Sequence, residues 1–319
     1  MLEHFIRQVN QLISKGTAPG GKLLRYGYLG VVMLKLLGRT DVKITAIGIG
    51  TWQMKRDDNS VQVIRKGIEA GSNFVDTAEL YRNEDMVGKA VADLDDVFVA
   101  TKVSPTHFRY EKVLKACDGS LRRLGVKQID LYQLHWPNPH IPIEETMRAM
   151  ERLVDEGKIR YIGVSNFDLD ELKRAQESMK RYEIVSNQVE YSPFVRYIEK
   201  DLLSYCEKEK ISVIAYSPLK HGHALESLSR ERNPFTQLAE SRKATVPQII
   251  LRWLISKGNV IAIPKTSHAE RVVENVRSQD IELSDSDIRE LDEYASRLNS
   301  RSTKDRLGGI TNFVLRFFR

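Results

Sequence analysis

From residue 44 onward, short β-branched or apolar runs alternate with longer stretches whose apolar residues recur every three or four positions. A short continuous apolar run suits a strand buried on both faces, and the longer period suits a helix that buries one stripe. Eight such pairs follow one another. Strands are expected at 47–52, 73–78, 97–103, 129–136, 160–166, 184–191, 211–219 and 260–267, with helices opening at Val61, Glu84, Tyr110, Ile143, Leu169, Ile198, Val246 and His268. Strict alternation of this kind predicts a parallel sheet with helices outside it. Its span of about 220 residues is close to the ~250 of a (β/α)8 TIM barrel, whereas a doubly wound sheet needs fewer strands and a topological switch point. We therefore expect an α/β chain folded as a (β/α)8 barrel.

Before the first strand, LLGRTDVKI (residues 36–44) places a Gly-Arg-Thr-Asp turn between apolar runs. It predicts a β-hairpin capping the bottom of the barrel. No linker, low-complexity tract or charge block interrupts the series, so residues 33–319 are expected to form one domain. Residues 1–32 form an N-terminal extension in which Leu2, Phe5, Ile6, Val9, Leu12 and Ile13 keep helical spacing until TAPGGK breaks it. The plainer reading is an amphipathic helix packed on the barrel, and the sharper one a membrane-surface anchor. A secretory signal is not expected, because no sustained apolar core or small-residue cleavage site follows Arg7.

A hydrophobic share of 41% over 319 residues supplies a real core and excludes a disordered chain. No apolar run reaches the ~20 residues of a membrane-spanning helix. The net charge of +6 suggests nucleic acid until it is divided. Residues 1–44 and 297–319 each carry +5, which leaves residues 45–296 at −4, so no duplex-binding surface is expected. Cys117 and Cys206 are the only cysteines, too few for a disulfide framework or a zinc site, and they predict a reducing, cytoplasmic setting.

Catalytic groups of a parallel barrel sit at the C-terminal strand ends and the loops just after them. Those places hold Trp52, Asp76 with Tyr81, Lys102, His135, Ser165 with Asn166, Gln188 with Tyr191, Tyr216 with Ser217, and Lys265 with Thr266. Singly, a strand Asp or Lys is most often a structural ion pair, and a Tyr or His a satisfied core residue. Four such groups converging on one barrel mouth point to chemistry instead. His221 and His223 lie close together, but no third ligand accompanies them and no metal is expected.

The segments GIGTW, NFVDTAELY, ATK, LHW, GKIRYIGVSNF, NQVEYSP, IAYSPL and IPKTSHAERVVENV, in this order between residues 48 and 276, make the chain similar to the aldo-keto reductase superfamily. The resemblance implies a catalytic tetrad of Asp76, Tyr81, Lys102 and His135. Carbonyl reduction needs a proton donor for the oxygen, and a phenol of pKa near 10 is weak at neutral pH. An ammonium about 4 Å away is worth about 4 kcal/mol at an effective dielectric of 20, or close to three powers of ten in acidity. Lys102 is therefore expected to lower the Tyr81 phenol, Asp76 to keep Lys102 charged and aimed, and His135 to orient the carbonyl.

The resemblance also implies NADPH/NADP+ as cofactor. Ser165, Asn166 and Gln188 would hold the carboxamide, Tyr216 would stack on the nicotinamide, and Ser217 and Leu219 would line the pyrophosphate. Lys265, Thr266 and Arg271 would take the adenosine 2′-phosphate, because cations at a helix start oppose its dipole unless an anion joins them. Glu274 and Asn275 match the adenine contacts. Three departures stand out: Lys220 where a small residue is common, a short basic tail ending NFVLRFFR, and residues 1–32, which match nothing in the family, whose chains commonly begin near Met33. A small, open substrate pocket is expected, walled by Trp52 and Trp136.

The function implied is NADPH-dependent reduction of small aldehydes such as glyceraldehyde or aldoses, and of ketones, to alcohols. The alternative is a redox-sensing regulatory subunit that binds the nucleotide with little turnover, as the potassium-channel beta subunits of the superfamily do. A DNA-binding role ranks third. Neither physiological substrate nor oligomeric state is legible.

Overall fold

The computed structural model describes residues 32–220 and 223–302. The helix expected within residues 1–32, His221 and the basic tail fall outside the described residues. A hairpin comes first: β1 (Leu34–Leu36) runs antiparallel to β2 (Lys43–Thr45), with Leu34 opposite Thr45. Its turn holds Gly38 at φ +58°, where a Cβ would stand 2.6 Å from the Val185 carbonyl oxygen, so both the dihedral and the close approach require glycine.

Eight parallel strands then pair in chain order: β3 (Ile49–Gly50), β4 (Phe74–Asp76), β5 (Phe98–Val103), β6 (Ile129–Leu134), β7 (Ile159–Ser165), β8 (Ile184–Glu190), β9 (Ser212–Tyr216) and β10 (Val260–Ile263). The ring closes because Ala262 N donates to Ala46 O at 2.9 Å, Gly48 N to Ala262 O at 2.9 Å, and Gly50 N to Pro264 O at 3.1 Å. The architecture is the (β/α)8 barrel with a hairpin cap.

Outside the strands lie α1 (Asp58–Glu69), α2 (Glu84–Val91), α3 (Tyr110–Leu124), α4 (Ile143–Asp155), α5 (Leu169–Glu177), α6 (Leu202–Lys208), α7 (His223–Arg230), α8 (Pro234–Ser241), α9 (Val246–Ser256), α10 (Ala269–Arg277) and α11 (Asp285–Ser302). Eight helices were expected; α7, α8 and α11 are additional. Asn233-Pro234 starts α8, where the Asn233 carboxamide accepts from the amides of Phe235 and Thr236. A second cap starts α11, where Ser284 Oγ accepts from Asp287 N while Asp287 Oδ2 accepts from Ser284 N. The helix expected from Ile198 begins instead as a single 3-10 turn, Tyr197–Lys200, ahead of α6. Among the described residues no helix is long and apolar enough to cross a membrane.

Two apolar layers hold these elements. One fills the space between strands and helices. The other plugs the barrel floor, where Leu37 and Ile44 of the hairpin meet Phe74, Phe98, Leu131, Val185, Ile214 and Ile261. With the floor filled, a cavity lies at the C-terminal ends of the strands.

Candidate active site

A cavity of about 350 Å³ occupies that end. Asp76 ends β4, and a one-turn 3-10 helix, Glu79–Tyr81, carries Tyr81 back over the opening. The turn stops at Arg82, held left-handed at φ 56°. Lys102 lies near the end of β5, His135 follows β6, Ser165 ends β7 with Asn166 after it, and Gln188 and Tyr216 lie near the ends of β8 and β9. Asp76, Tyr81, His135, Ser165, Asn166, Gln188, Tyr216, Ser217, Leu219, Lys265 and both expected walls, Trp52 and Trp136, line the cavity. Lys102 is fully buried behind it.

Lys102 Nζ donates to Asp76 Oδ1 at 2.5 Å and to the Thr77 carbonyl at 2.7 Å, and lies 5.0 Å from the centre of the Tyr81 ring. The second carboxylate oxygen of Asp76 accepts from Gln188 Nε2 at 2.8 Å and from Gln133 Nε2 at 3.2 Å. Gln133 escaped sequence reasoning, since in IDLYQLHW it reads as one ordinary inward strand position. The expected lowering of the Tyr81 phenol by Lys102 does not hold here: burial, then the Asp76 charge, pushes it well above its usual 10. The reason is burial first, with the Lys102 charge offset by its carboxylate partner. An ammonium bonded to a carboxylate presents a dipole rather than a free charge, and desolvation favours the neutral phenol. Lys102 itself is lowered by burial, with Asp76 and Glu84 opposing.

Tyr81 thus keeps its proton, and its hydroxyl makes no hydrogen bond to the described residues. Beside it, edge-on at 5.5 Å between ring centres, stands His135, stacked in turn on Trp136 at 3.8 Å. Burial, reinforced by Lys102, holds His135 well below 6.5, so the imidazole is neutral. Its Nδ1 is buried without a partner among the described residues. The loop after β7 completes this wall. Asn166, left-handed at φ 64°, donates through Nδ2 to the His135 carbonyl and to Ser165 Oγ, both at 3.0 Å, and accepts from the Tyr216 hydroxyl at 2.9 Å.

A turn with left-handed residues at both ends, Ser217 (φ 48°) and Lys220 (φ 54°), follows β9 and closes through Lys220 N to Ser217 O at 2.9 Å. Lys220, a departure from the family pattern, reaches across the cavity wall to Glu190 Oε1 at 3.0 Å. Glu190 was another residue missed in sequence. Lys265 lines the far side of the cavity and forms no ion pair with the described residues. Thr266 lies in the same loop with its Oγ1 accepting from His268 N, while exposed Arg271 and Glu274 and buried Asn275 ride on α10, outside the cavity lining. No cluster of His, Cys, Asp and Glu able to hold a metal occurs among the described residues.

The donor set suits a nicotinamide nucleotide. Amide and hydroxyl groups sit beside the reactive cluster, an aromatic ring and a polar turn follow, and Lys265, a cation without a carboxylate partner among the described residues, stands at the other edge. Comparison with known proteins gives the same direction. The model of the Aldo/keto reductase family matches residues 46–296. Methylglyoxal reductase YeaE of Escherichia coli is 37% identical over 260 residues, covering 79% of this chain and 91% of its own length. Glyoxal reductase of Bacillus subtilis is 35% identical over 257 residues, covering 79% and 89%. The crystal structure of an aldo-keto reductase from Klebsiella pneumoniae in complex with NADPH superposes with a TM-score of 0.77 at 37% identity, covering 82% of this chain and 95% of that one.

Proposed function

The chain belongs to the aldo/keto reductase family, and from that premise we propose that it reduces small aldehydes, 2-oxoaldehydes such as methylglyoxal foremost, to alcohols with NADPH. Family membership makes it an NADP-dependent reductase. The choice of substrate rests on its relatives and on the cavity. At about 350 Å³ the space is near the lower end for ligand pockets, ~300–1,000 Å³, and it must take the nicotinamide as well. Indole walls at Trp52 and Trp136 suit a compact carbonyl with little charge. Glyceraldehyde, aldoses and ketones form the second tier.

When bound, NADPH supplies the hydride that the carbonyl carbon receives. This chain's residues do the rest. Tyr81, protonated by its surroundings, donates its proton to the oxygen as negative charge builds there. Neutral His135 offers a ring N–H and fixes the direction of the carbonyl. Lys102, held between Asp76 and Thr77 O, sits beside the phenolate that forms and stabilises its charge. Asp76 is locked by Gln188 and Gln133 and keeps the lysine aimed. Ser165, Asn166 and Gln188 would hold the carboxamide and Tyr216 the ring, with Ser217 and Leu219 toward the pyrophosphate. Lys265, Thr266 and Arg271 would meet the 2′-phosphate, and Glu274 and Asn275 the adenine. A doubly charged phosphate met by two cations makes NADPH preferred to NADH by about 10²-fold, less at high salt.

The observation that carries this reading is the buried Asp76–Lys102 pair, set beneath Tyr81 and neutral His135 at one cavity. NADPH absorbance with methylglyoxal, glyoxal, glyceraldehyde and a ketone tests it. Steady turnover of the 2-oxoaldehydes is expected. Tight NADPH binding without turnover of any of them would instead favour a nucleotide-sensing regulatory subunit.

A further inference from the structure

Tyr81 rides on a turn only three residues long, Glu79–Tyr81. Such a turn does not hold itself. Its end is fixed by Arg82 in a left-handed conformation that a non-glycine residue keeps only when the surroundings impose it. Before the turn, Lys102 grips the Thr77 carbonyl, and after it Asn83 donates to the Thr51 carbonyl at 2.9 Å. Within the turn, Glu79 is the residue whose side chain hydrogen-bonds to another segment among the described residues. Its carboxylate accepts the Ser104 backbone N–H at 2.9 Å and lies 3.0 Å from His107 Nδ1. Ser104 follows directly on β5, two residues beyond Lys102.

We propose that Glu79 is a positioning residue for the reaction, tying the turn that carries the proton donor to the segment that carries the ammonium. Resting on Tyr81 as proton donor, the inference adds what fixes the distance between that hydroxyl and the carbonyl oxygen. A bond from the Glu79 carboxylate to a backbone N–H survives any rotamer change of Ser104 and holds the turn at one height above β5. The clamp faces away from the substrate, onto a separate cleft of about 440 Å³ that also borders Arg82 and Arg123. Shortening the side chain therefore opens no sealed void.

The test compares Glu79→Ala, Glu79→Gln, Tyr81→Phe and Glu79→Ala/Tyr81→Phe by methylglyoxal turnover, NADPH affinity from fluorescence titration, and thermal melting. Misplacing a reacting group by about 1 Å can cost 10²-fold, so Glu79→Ala is expected to lower kcat by about 10- to 30-fold. NADPH affinity should stay within about twofold, because the nucleotide is held by other loops. Glu79→Gln still accepts the Ser104 N–H and should recover kcat to within about threefold of wild type. In the Tyr81→Phe background Glu79→Ala should cost nothing further, since the hydroxyl it positions is gone; a purely structural defect would add its full loss there. Wild-type kcat in Glu79→Ala, an equal loss of NADPH affinity, or an undiminished loss in the Tyr81→Phe background would each overturn the inference. Wild-type turnover in Tyr81→Phe alone would overturn the proton-donor reading beneath it, and is seen before Glu79 is touched.

Discussion

The two ends of the barrel are built from the same eight strands and have opposite characters. At the floor, Leu37, Ile44, Phe74, Phe98, Leu131, Val185 and Ile214 pack against one another. The polar groups nearby are satisfied locally: Asn73 Oδ1 accepts from Thr45 N at 2.8 Å, and Ser72 Oγ donates to Ile47 O. At the mouth, Asp76, Lys102, His135 and Gln188 are as deeply buried as the floor leucines, yet one imidazole nitrogen has no partner among the described residues and Gln53, Arg82, Asn166, Ser217 and Lys220 of the strand-end loops are all left-handed. The difference teaches where each property is stored. Floor residues hold the ring together without shaping its opening; mouth residues carry strain and desolvated charge that the floor must stabilise.

Exchanging roles across this divide should fail in both directions. The largest effect is expected for Tyr81→Phe, which removes the proposed proton donor: turnover should fall by about 10²–10⁴-fold. Its melting temperature and NADPH affinity should stay near wild type, and turnover within tenfold of wild type would refute the assignment. At the other end, Leu37→Ala empties part of the plug and should cost about 2–5 kcal/mol in urea unfolding. Its kcat per folded molecule should be unchanged; a kcat loss without destabilisation would show that the floor does shape the mouth.

Smaller effects sharpen the picture. Arg271→Ala would remove the proposed charge-assisted contact to the 2′-phosphate, worth about 1.5–3 kcal/mol, so NADPH should bind some 10- to 100-fold more weakly and NADH nearly as before. Equal losses for both nucleotides would misplace the phosphate. Last comes pH. His135 is held below 6.5 by burial and by Lys102, so below pH 6.5 the unfolded chain takes up a proton that the native chain refuses. Its contribution is fully present above pH 6.5 and lost as pH falls, by about 1.4 kcal/mol per pH unit until the native imidazole titrates. Unfolding of wild type and His135→Asn, compared from pH 7 to 5, measures that difference in slope. Parallel curves would mean that the native imidazole takes up its proton at the same pH as the unfolded chain, contrary to its burial.

The barrel was legible because buried parallel strands read as apolar runs with polar residues at their ends, and those ends are where Asp76, Lys102, His135 and Gln188 stand. What the sequence hid depends on distant partners. Gln133 is distinguished only by meeting Asp76 inside the barrel. Glu190 gains its role from Lys220, thirty positions away. The direction of the Tyr81 shift was misjudged because it is decided by how completely protein replaces water around the phenol, which spacing does not encode. Helices α7 and α8 were passed over because short helices held by caps and packing leave little periodicity, whereas Ile288, Leu291, Ala295 and Leu298 of α11 offered a period that could have been read.

The closing seam of the ring bears on how the chain is made. Ala46 and Gly48 meet Ala262 across more than two hundred positions, so the first strand leaves the ribosome long before the strand that completes it. Until then its hydrogen-bonding edge is open, and contacts this far apart in sequence form slowly. The hairpin, pairing residues only about ten apart, can assemble at once beside that edge. Changes that delay β10 should therefore show first as a lower yield of soluble protein during synthesis, while molecules that have closed keep their activity.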